Sequence, residues 1–352
     1  MESRHFQLTI AREYRGMTQG ELAGKIEGLS QSNLSKFEKG FNTISDNVLE
    51  KIAKALNFPY SFFDEKIYNI SENVNFRKKS MGKKDKSKIE YSYRLIGYIV
   101  DKLSDSVEFP DFTLKTIDLE QGYSIKDAAR YIRKNLGLME NRTPVRRICG
   151  LLEESGIIII ETDLDNDKFD GVSFISDKGY PIIVISKYAS NDRKRFTIAH
   201  ELGHLIMHSE KDFIIYNYRD KEKEANEFAS EFLMPSEGIY NDLLNLKLSS
   251  LAELKRYWLT SMASIVRRAY DLKAINDDKY KYFNVELSRK GYRKEEPIHV
   301  FIDKPTVFKD AYDIHIKELD YSNEELSDAF SLPIDIIERF CKINNSNLRI
   351  VG

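Results

Sequence analysis

Apolar residues return every three or four positions through most of this chain, the spacing of amphipathic helices, and gather into strand-like runs at only a few places. Residues 8–63 have the cadence of five short helices, with Ile10, Leu22, Ala23, Ile26, Leu34, Phe37, Val48, Ile52, Ala53 and Leu56 forming a miniature core. A helix is predicted over 89–103, then helices over 125–136 and 145–155, with Pro144 in the loop between them. Three short apolar runs follow at 157–160, 171–176 and 181–186. The last two are split by a turn at 177–180, which predicts a small sheet containing a hairpin. Helical spacing resumes at 195–208 and 222–233, and again as helix, turn, helix within 251–269. Beyond Pro297, residues 299–302 read as a strand and 326–340 as a helical hairpin with Asp335 near a cap. The expected fold is mostly α with a small β-sheet, an α+β class.

A length of 352 residues suggests two or three domains, and an apolar fraction of 41% is ample for packed cores. No run of 18 apolar residues occurs. The first residues, MESRHFQLTI, lack a basic flank, a long apolar stretch and a cleavage site, so the expectation is a cytoplasmic protein with no membrane partner. Cys149 and Cys341 are far apart, without a second Cys or a His at ligand spacing, and read as reduced thiols. The net charge of −2 gives no global attraction to nucleic acid, so DNA binding requires a local patch.

The chemistry concentrates in RFTIAHELGHLIMH, residues 195–208. On a helix, His200 and His204 lie one turn apart on one face, where two imidazoles can grip one metal ion. Glu201 stands beside them as a base for a water. Zinc suits two imidazoles and one carboxylate, because its fourth position then stays open to a water made more acidic by the ion. The third ligand is expected in EKEANEFASEFLMP, residues 222–235, which carries four glutamates. Ala225, Phe228, Ala229, Phe232 and Leu233 define its apolar face. Glu222 lies about 50° from the centre of that face, against about 110° for Glu224, 130° for Glu231 and 170° for Glu227. Glu222 therefore points inward, with Glu224 the alternative. Asn226, one turn on, is placed to hydrogen-bond a ligating His. His208 follows His204 by a turn, about 6 Å further along the axis, and suits a role at the helix end or behind the ligands better than ligation. Tyr180, Tyr216, Tyr218 and His208 are all candidates for stabilising an oxyanion, and nothing in the sequence ranks them.

The two stretches together closely resemble the ImmA/IrrE family of metallopeptidases, over roughly residues 125–295. The resemblance implies a zincin-like minimal metallopeptidase domain in which His200, His204 and Glu222 hold the zinc and Glu201 is the general base. It also implies a protein substrate of repressor or antitoxin type.

Near the N-terminus, Thr18 with Glu21 makes a capping box, and Ser30 or Gln31 opens the next helix. That helix presents Gln31, Ser32, Asn33 and Lys36 outward; Gln and Asn suit base edges, Lys and Ser suit phosphates. This pattern resembles the helix-turn-helix of the XRE (Cro/C1-type) family over about residues 6–64. By that resemblance Gln31, Ser32 and Asn33 enter the major groove of a double-stranded operator, while Gln19, Lys36 and Lys39 hold the backbone. Basic and acidic residues are equal in number between 1 and 64, so a homodimer or help from elsewhere is expected. The basic run at 77–88 reads as a linker that either lies along phosphates or is simply solvated.

Two other segments keep two readings. The hairpin at 171–186 either pairs with an extended substrate or only supports the metal helix. The helices within 251–269 either pack on the core or use Lys255, Arg256, Arg267 and Arg268 on nucleic acid. The expected organisation is a five-helix DNA-binding bundle at 1–68, a connector at 69–123, the metallopeptidase domain at 124–296 and a helical extension at 297–352. The expected function is a DNA-binding regulator carrying a zinc endopeptidase, with one zinc per chain, that acts in a stress or phage response. The alternative is a transcription factor whose metallopeptidase fold is a non-catalytic sensor or scaffold.

Overall fold

The computed structural model describes residues 4–67, 83–164 and 169–342. The head comprises α1 (Arg4–Tyr14), α2 (Gln19–Gly24), α3 (Gln31–Glu38) and α4 (Asp46–Leu56), closed by a 3-10 turn at Tyr60–Asp64. The expected five-helix bundle thus ends in a tighter turn. The Thr18–Glu21 capping box forms as the sequence indicates, and the Ser30 hydroxyl accepts the Asn33 N–H at the start of α3.

The long α5 (Lys83–Leu103) follows. Helix was expected only from residue 89, after a basic linker. Residues 77–82 of that run lie outside the described residues, but from Lys83 the chain is already helical. Lys is a good helix former and no Gly or Pro lies between Gly82 and residue 89, so the amphipathic helix propagates backwards. Next come α6 (Ile125–Asn135) and α7 (Ile148–Glu154). The latter was expected to start at residue 145. It starts later because the buried Arg195 guanidinium takes the carbonyls of Val145 and Arg146, while Asp303 caps the helix through the Cys149 and Gly150 N–H groups.

The sheet contains β1 (Ile158–Thr162), β2 (Gly171–Ile175) and β3 (Pro181–Ser186) in the order β1-β3-β2. β3 runs parallel to β1, with Ile159 opposite Ile183, and antiparallel to β2, with Ser173 opposite Ile183. Both faces are buried, which explains why the strands read as nearly continuous apolar runs. Then follow α8 (Asn191–Met207), α9 (Lys221–Leu233), α10 (Ser236–Leu244), α11 (Leu251–Trp258), α12 (Met262–Asp271), α13 (Asp277–Arg289), α14 (Val307–Lys317), α15 (Asn323–Phe330) and α16 (Ile334–Cys341).

The strand expected at 299–302 does not form. The Val300 carbonyl is taken by Asn191, and Asp303 is turned to cap α7, so side chains pin the segment where a ladder was expected. In the pair α11 and α12, Lys255 is buried between Asp192 and Glu296, and Arg268 between Glu231 and the Met234 carbonyl. Arg267 pairs with Asp271 on its own helix. Lys255 and Arg268, two of the four cations considered for nucleic acid, are therefore consumed by packing.

Two cores flank the sheet. Ile159, Ile183 and Ile185 face α8 and the helices from α6 to α13, including the buried Phe228, Phe232 and Trp258. Ile158, Ile160, Val172, Phe174, Ile182 and Val184 face the other way, onto α5, the head and α14 to α16. The terminal helices are thus part of a shared core. Arg15, just past the end of α1, forms a bidentate pair with Asp335, and the Tyr98 hydroxyl donates to the Phe330 carbonyl. Among the described residues, no helix is long and apolar enough to cross a membrane.

Candidate metal centre

α8 lies between the sheet and α9, and its packing determines what can meet at its middle. Gly203 sits where α9 comes closest: a Cβ there would stand 3.1 Å from the Phe228 ring, so glycine sets the spacing of the two helices. That spacing brings Glu222 of α9 to the imidazoles of α8. His200 Nε2 and His204 Nε2 are 3.1 Å apart. Glu222 reaches His200 Nε2 at 3.6 Å and His204 Nε2 at 3.3 Å. One ligand atom from each of the three residues lies within 4.8 Å of the others. Two imidazole nitrogens and a carboxylate oxygen are a donor set that zinc accepts, and their convergence fits a single divalent ion. The two histidines are buried, whereas the Glu222 side chain is 41% exposed, so the group opens to solvent on the carboxylate's side.

Glu201, 3% exposed, accepts a hydrogen bond from Ser173 Oγ at 2.8 Å. Ser173 owes this position to strand alternation. It stands opposite Ile183, on the α8 face of the sheet, while Val172 and Phe174 point away. Sequence reasoning missed Ser173; the available signal was a lone hydroxyl at an inward position of an otherwise apolar strand.

The other residues of α9 separate clearly. Glu224 turns from the metal group to His208 and Arg219. Burial raises its carboxyl pKa, but those two partners outweigh it and hold the group below the usual carboxylate range. Glu227 is exposed, and Glu231 is buried in its pair with Arg268. Asn226 does not meet a ligating His as expected. Its amide donates to the Glu222 carbonyl at 2.7 Å, the backward bond a short polar side chain makes along its own helix. The partner of His204 is instead His208, Nδ1 to Nδ1 at 2.9 Å. Burial, then the neighbouring His204, pushes the His208 pKa down to about 4.

Of the tyrosines considered for the oxyanion, Tyr180 packs on Phe109 at the hairpin turn. Tyr216 and Tyr218 stack on each other with centroids 5.6 Å apart, beside Glu222 in a cleft of about 520 Å³, and the Tyr218 hydroxyl donates to Glu120. A larger cavity, about 1060 Å³, opens along the start of α8 and is lined by Asp170, Tyr188, Arg193 and Phe196 among others.

In the head, α3 leaves Gln31, Ser32, Asn33 and Lys36 exposed, with Lys39 just beyond. Gln19 is half-buried. It donates to Glu38 and accepts from Gln31, while Glu38 is itself held by the buried Arg12. The outward polar row is thus anchored through Gln19 to the inside of the bundle.

A helix-turn-helix head and a metallopeptidase-like domain are the classes this arrangement defines. In agreement, residues 8–63 match the helix-turn-helix family, and residues 152–270 match the peptidase family described as IrrE N-terminal-like domain. The chain is therefore similar to XRE-type DNA-binding domains in its head and to ImmA/IrrE-like metallopeptidases in its body. No curated protein and no solved structure matches it.

Proposed function

We propose that this protein is a DNA-binding regulator whose body is a zinc-dependent endopeptidase acting on a repressor- or antitoxin-like protein in a stress or phage response. The observation that carries the enzymatic part is the convergence of His200, His204 and Glu222 within 4.8 Å, with Glu201 beside them. The two imidazoles and Glu222 would hold the zinc. When bound, the ion supplies Lewis acidity that polarises a peptide carbonyl and acidifies a water.

Glu201 takes the proton from the attacking water and returns it to the departing amine. Ser173 holds the carboxylate in place for both transfers. β2 pairs only with β3 among the described residues, so its outer edge has no strand partner and is where an extended peptide would pair beside Glu201. On the head, Gln31, Ser32 and Asn33 read bases while Lys36 and Lys39 contact phosphates, with Gln19 supporting them. The operator is double-stranded, and the balanced charge of the head favours binding as a homodimer.

The test compares wild type with Glu201→Gln. The variant is expected to keep its zinc and its DNA binding, to lose cleavage, and to retain an uncut protein substrate in a pull-down. If regulation is unchanged in the variant while operator binding persists, the peptidase reading fails, and the metal domain is a sensor or scaffold.

A further inference from the structure

A chain of buried and half-buried hydrogen bonds runs behind the metal group. His204 Nδ1 meets His208 Nδ1 at 2.9 Å, and His208 Nε2 meets Glu224 Oε2 at 2.8 Å. Arg219 then grips Glu224 with two bonds, Nε to Oε1 at 3.1 Å and Nη2 to Oε2 at 2.7 Å. His208 has no solvent-exposed side-chain surface and Arg219 only 4%. His208 is the residue that ends α8, and Glu224 lies in the first turn of α9, so the chain ties together the two helices that supply the ligands.

The proton positions along this chain follow from the acceptors. A carboxylate held by a guanidinium can only accept, so the hydrogen on His208 must be on Nε2. A neutral His208 then has a bare lone pair at Nδ1. The 2.9 Å contact to His204 is a hydrogen bond only if His204 carries its own hydrogen on Nδ1. That leaves the lone pair of His204 on Nε2, the atom that faces His200 and Glu222.

We propose that Arg219, Glu224 and His208 form a positioning relay that fixes His204 in the tautomer able to bind metal. The inference rests on the zinc reading above but adds three residues to it, none of them a ligand. It also gives His208 a reason to be a histidine: only an imidazole accepts at one nitrogen while donating at the other along this line. The usual support for a ligating imidazole is a carboxylate or carbonyl in direct contact. Here the carboxylate acts at one imidazole's remove.

The experiment has two parts on the full-length protein. In the first, zinc affinity is measured by competition with a chromogenic chelator for wild type, His208→Phe and Glu224→Gln. His208→Phe fills the space without a ring nitrogen and is expected to weaken zinc binding roughly 10- to 100-fold. Glu224→Gln is expected to weaken it less, because the amide oxygen still accepts from His208. In the second, nitrogen-15 spectra of histidine-labelled, metal-free wild type are expected to show His204 with its hydrogen on Nδ1 and His208 with its hydrogen on Nε2. His204 protonated on Nε2 in those spectra, or zinc binding by a folded His208→Phe as tight as wild type, overturns the relay. The spectra need neither metal nor variant, so they judge the relay even if His208→Phe fails to fold. Failure of wild type itself to bind zinc would instead remove the proposed function.

Discussion

Glu153 offers the most quantitative test of how the body of this protein is assembled. It is 4% exposed and sits on α7, where its carboxylate accepts the N–H groups of Thr306 and Val307 at 3.1–3.2 Å and so caps α14. Burial raises its pKa, the two N–H donors oppose that, and the net effect is a rise from 4.5 to about 7. A raised folded-state value means that the protonated form is favoured by folding. The stabilisation is complete below about 4.5, declines as the pH climbs, and is gone above about 7. At 1.36 kcal/mol per pKa unit, the difference amounts to roughly 3 kcal/mol at most. The measurement is urea unfolding of wild type and Glu153→Gln between pH 4.5 and 8 with zinc chelated. Their difference cancels the other titrating groups. Wild type should lose stability relative to the variant as the pH rises, most steeply midway between 4.5 and about 7, and level off above that. Parallel stability curves would refute the reasoning, because burial would then not control this carboxyl group.

Three further substitutions probe the metal group and the head. Ser173→Ala removes the hydroxyl that holds Glu201, and loss of one hydrogen bond to a charged group should lower kcat about 10- to 100-fold while zinc content stays at the wild-type level; an unchanged kcat removes Ser173 from the reaction. On the head, Asn33→Ala should relax operator discrimination by about 1–3 kcal/mol, whereas Lys39→Ala should weaken all DNA sequences alike and reduce the salt slope by about 1. Competition binding at two salt concentrations separates them, and equal losses on specific and random DNA for Asn33→Ala would contradict a base-reading role.

Much of the fold and the convergence of His200, His204 and Glu222 could be read directly from spacing. His200 and His204 are set by the turn of one helix, and Glu222 by its angle to the apolar face of the next; both are local geometries that sequence periodicity reports. What escaped depends on contacts between distant segments. Arg195 delays the start of α7 by taking carbonyls some fifty positions back, and Asp303 caps that helix from more than 150 positions ahead. No window of sequence contains either interaction. Asn226 illustrates a different gap, since its position was predictable but the choice between its own helix and a neighbouring imidazole was not. The hydroxyl of Ser173 and the pairing of Glu224 with His208 also required strands and helices to be assembled first.

The two-sided burial of the sheet has a practical bearing on how the molecule can be divided. One strand, β2, touches Glu201 through Ser173 and leans on Tyr93 of α5 through Phe174, in one core with the head. Cutting the chain near residue 297 to isolate a peptidase would strip the cover from Ile158, Ile160 and Val184 and leave a greasy floor facing water. Head and body share a keel, and neither can be lifted out without wetting the timber that carries the other.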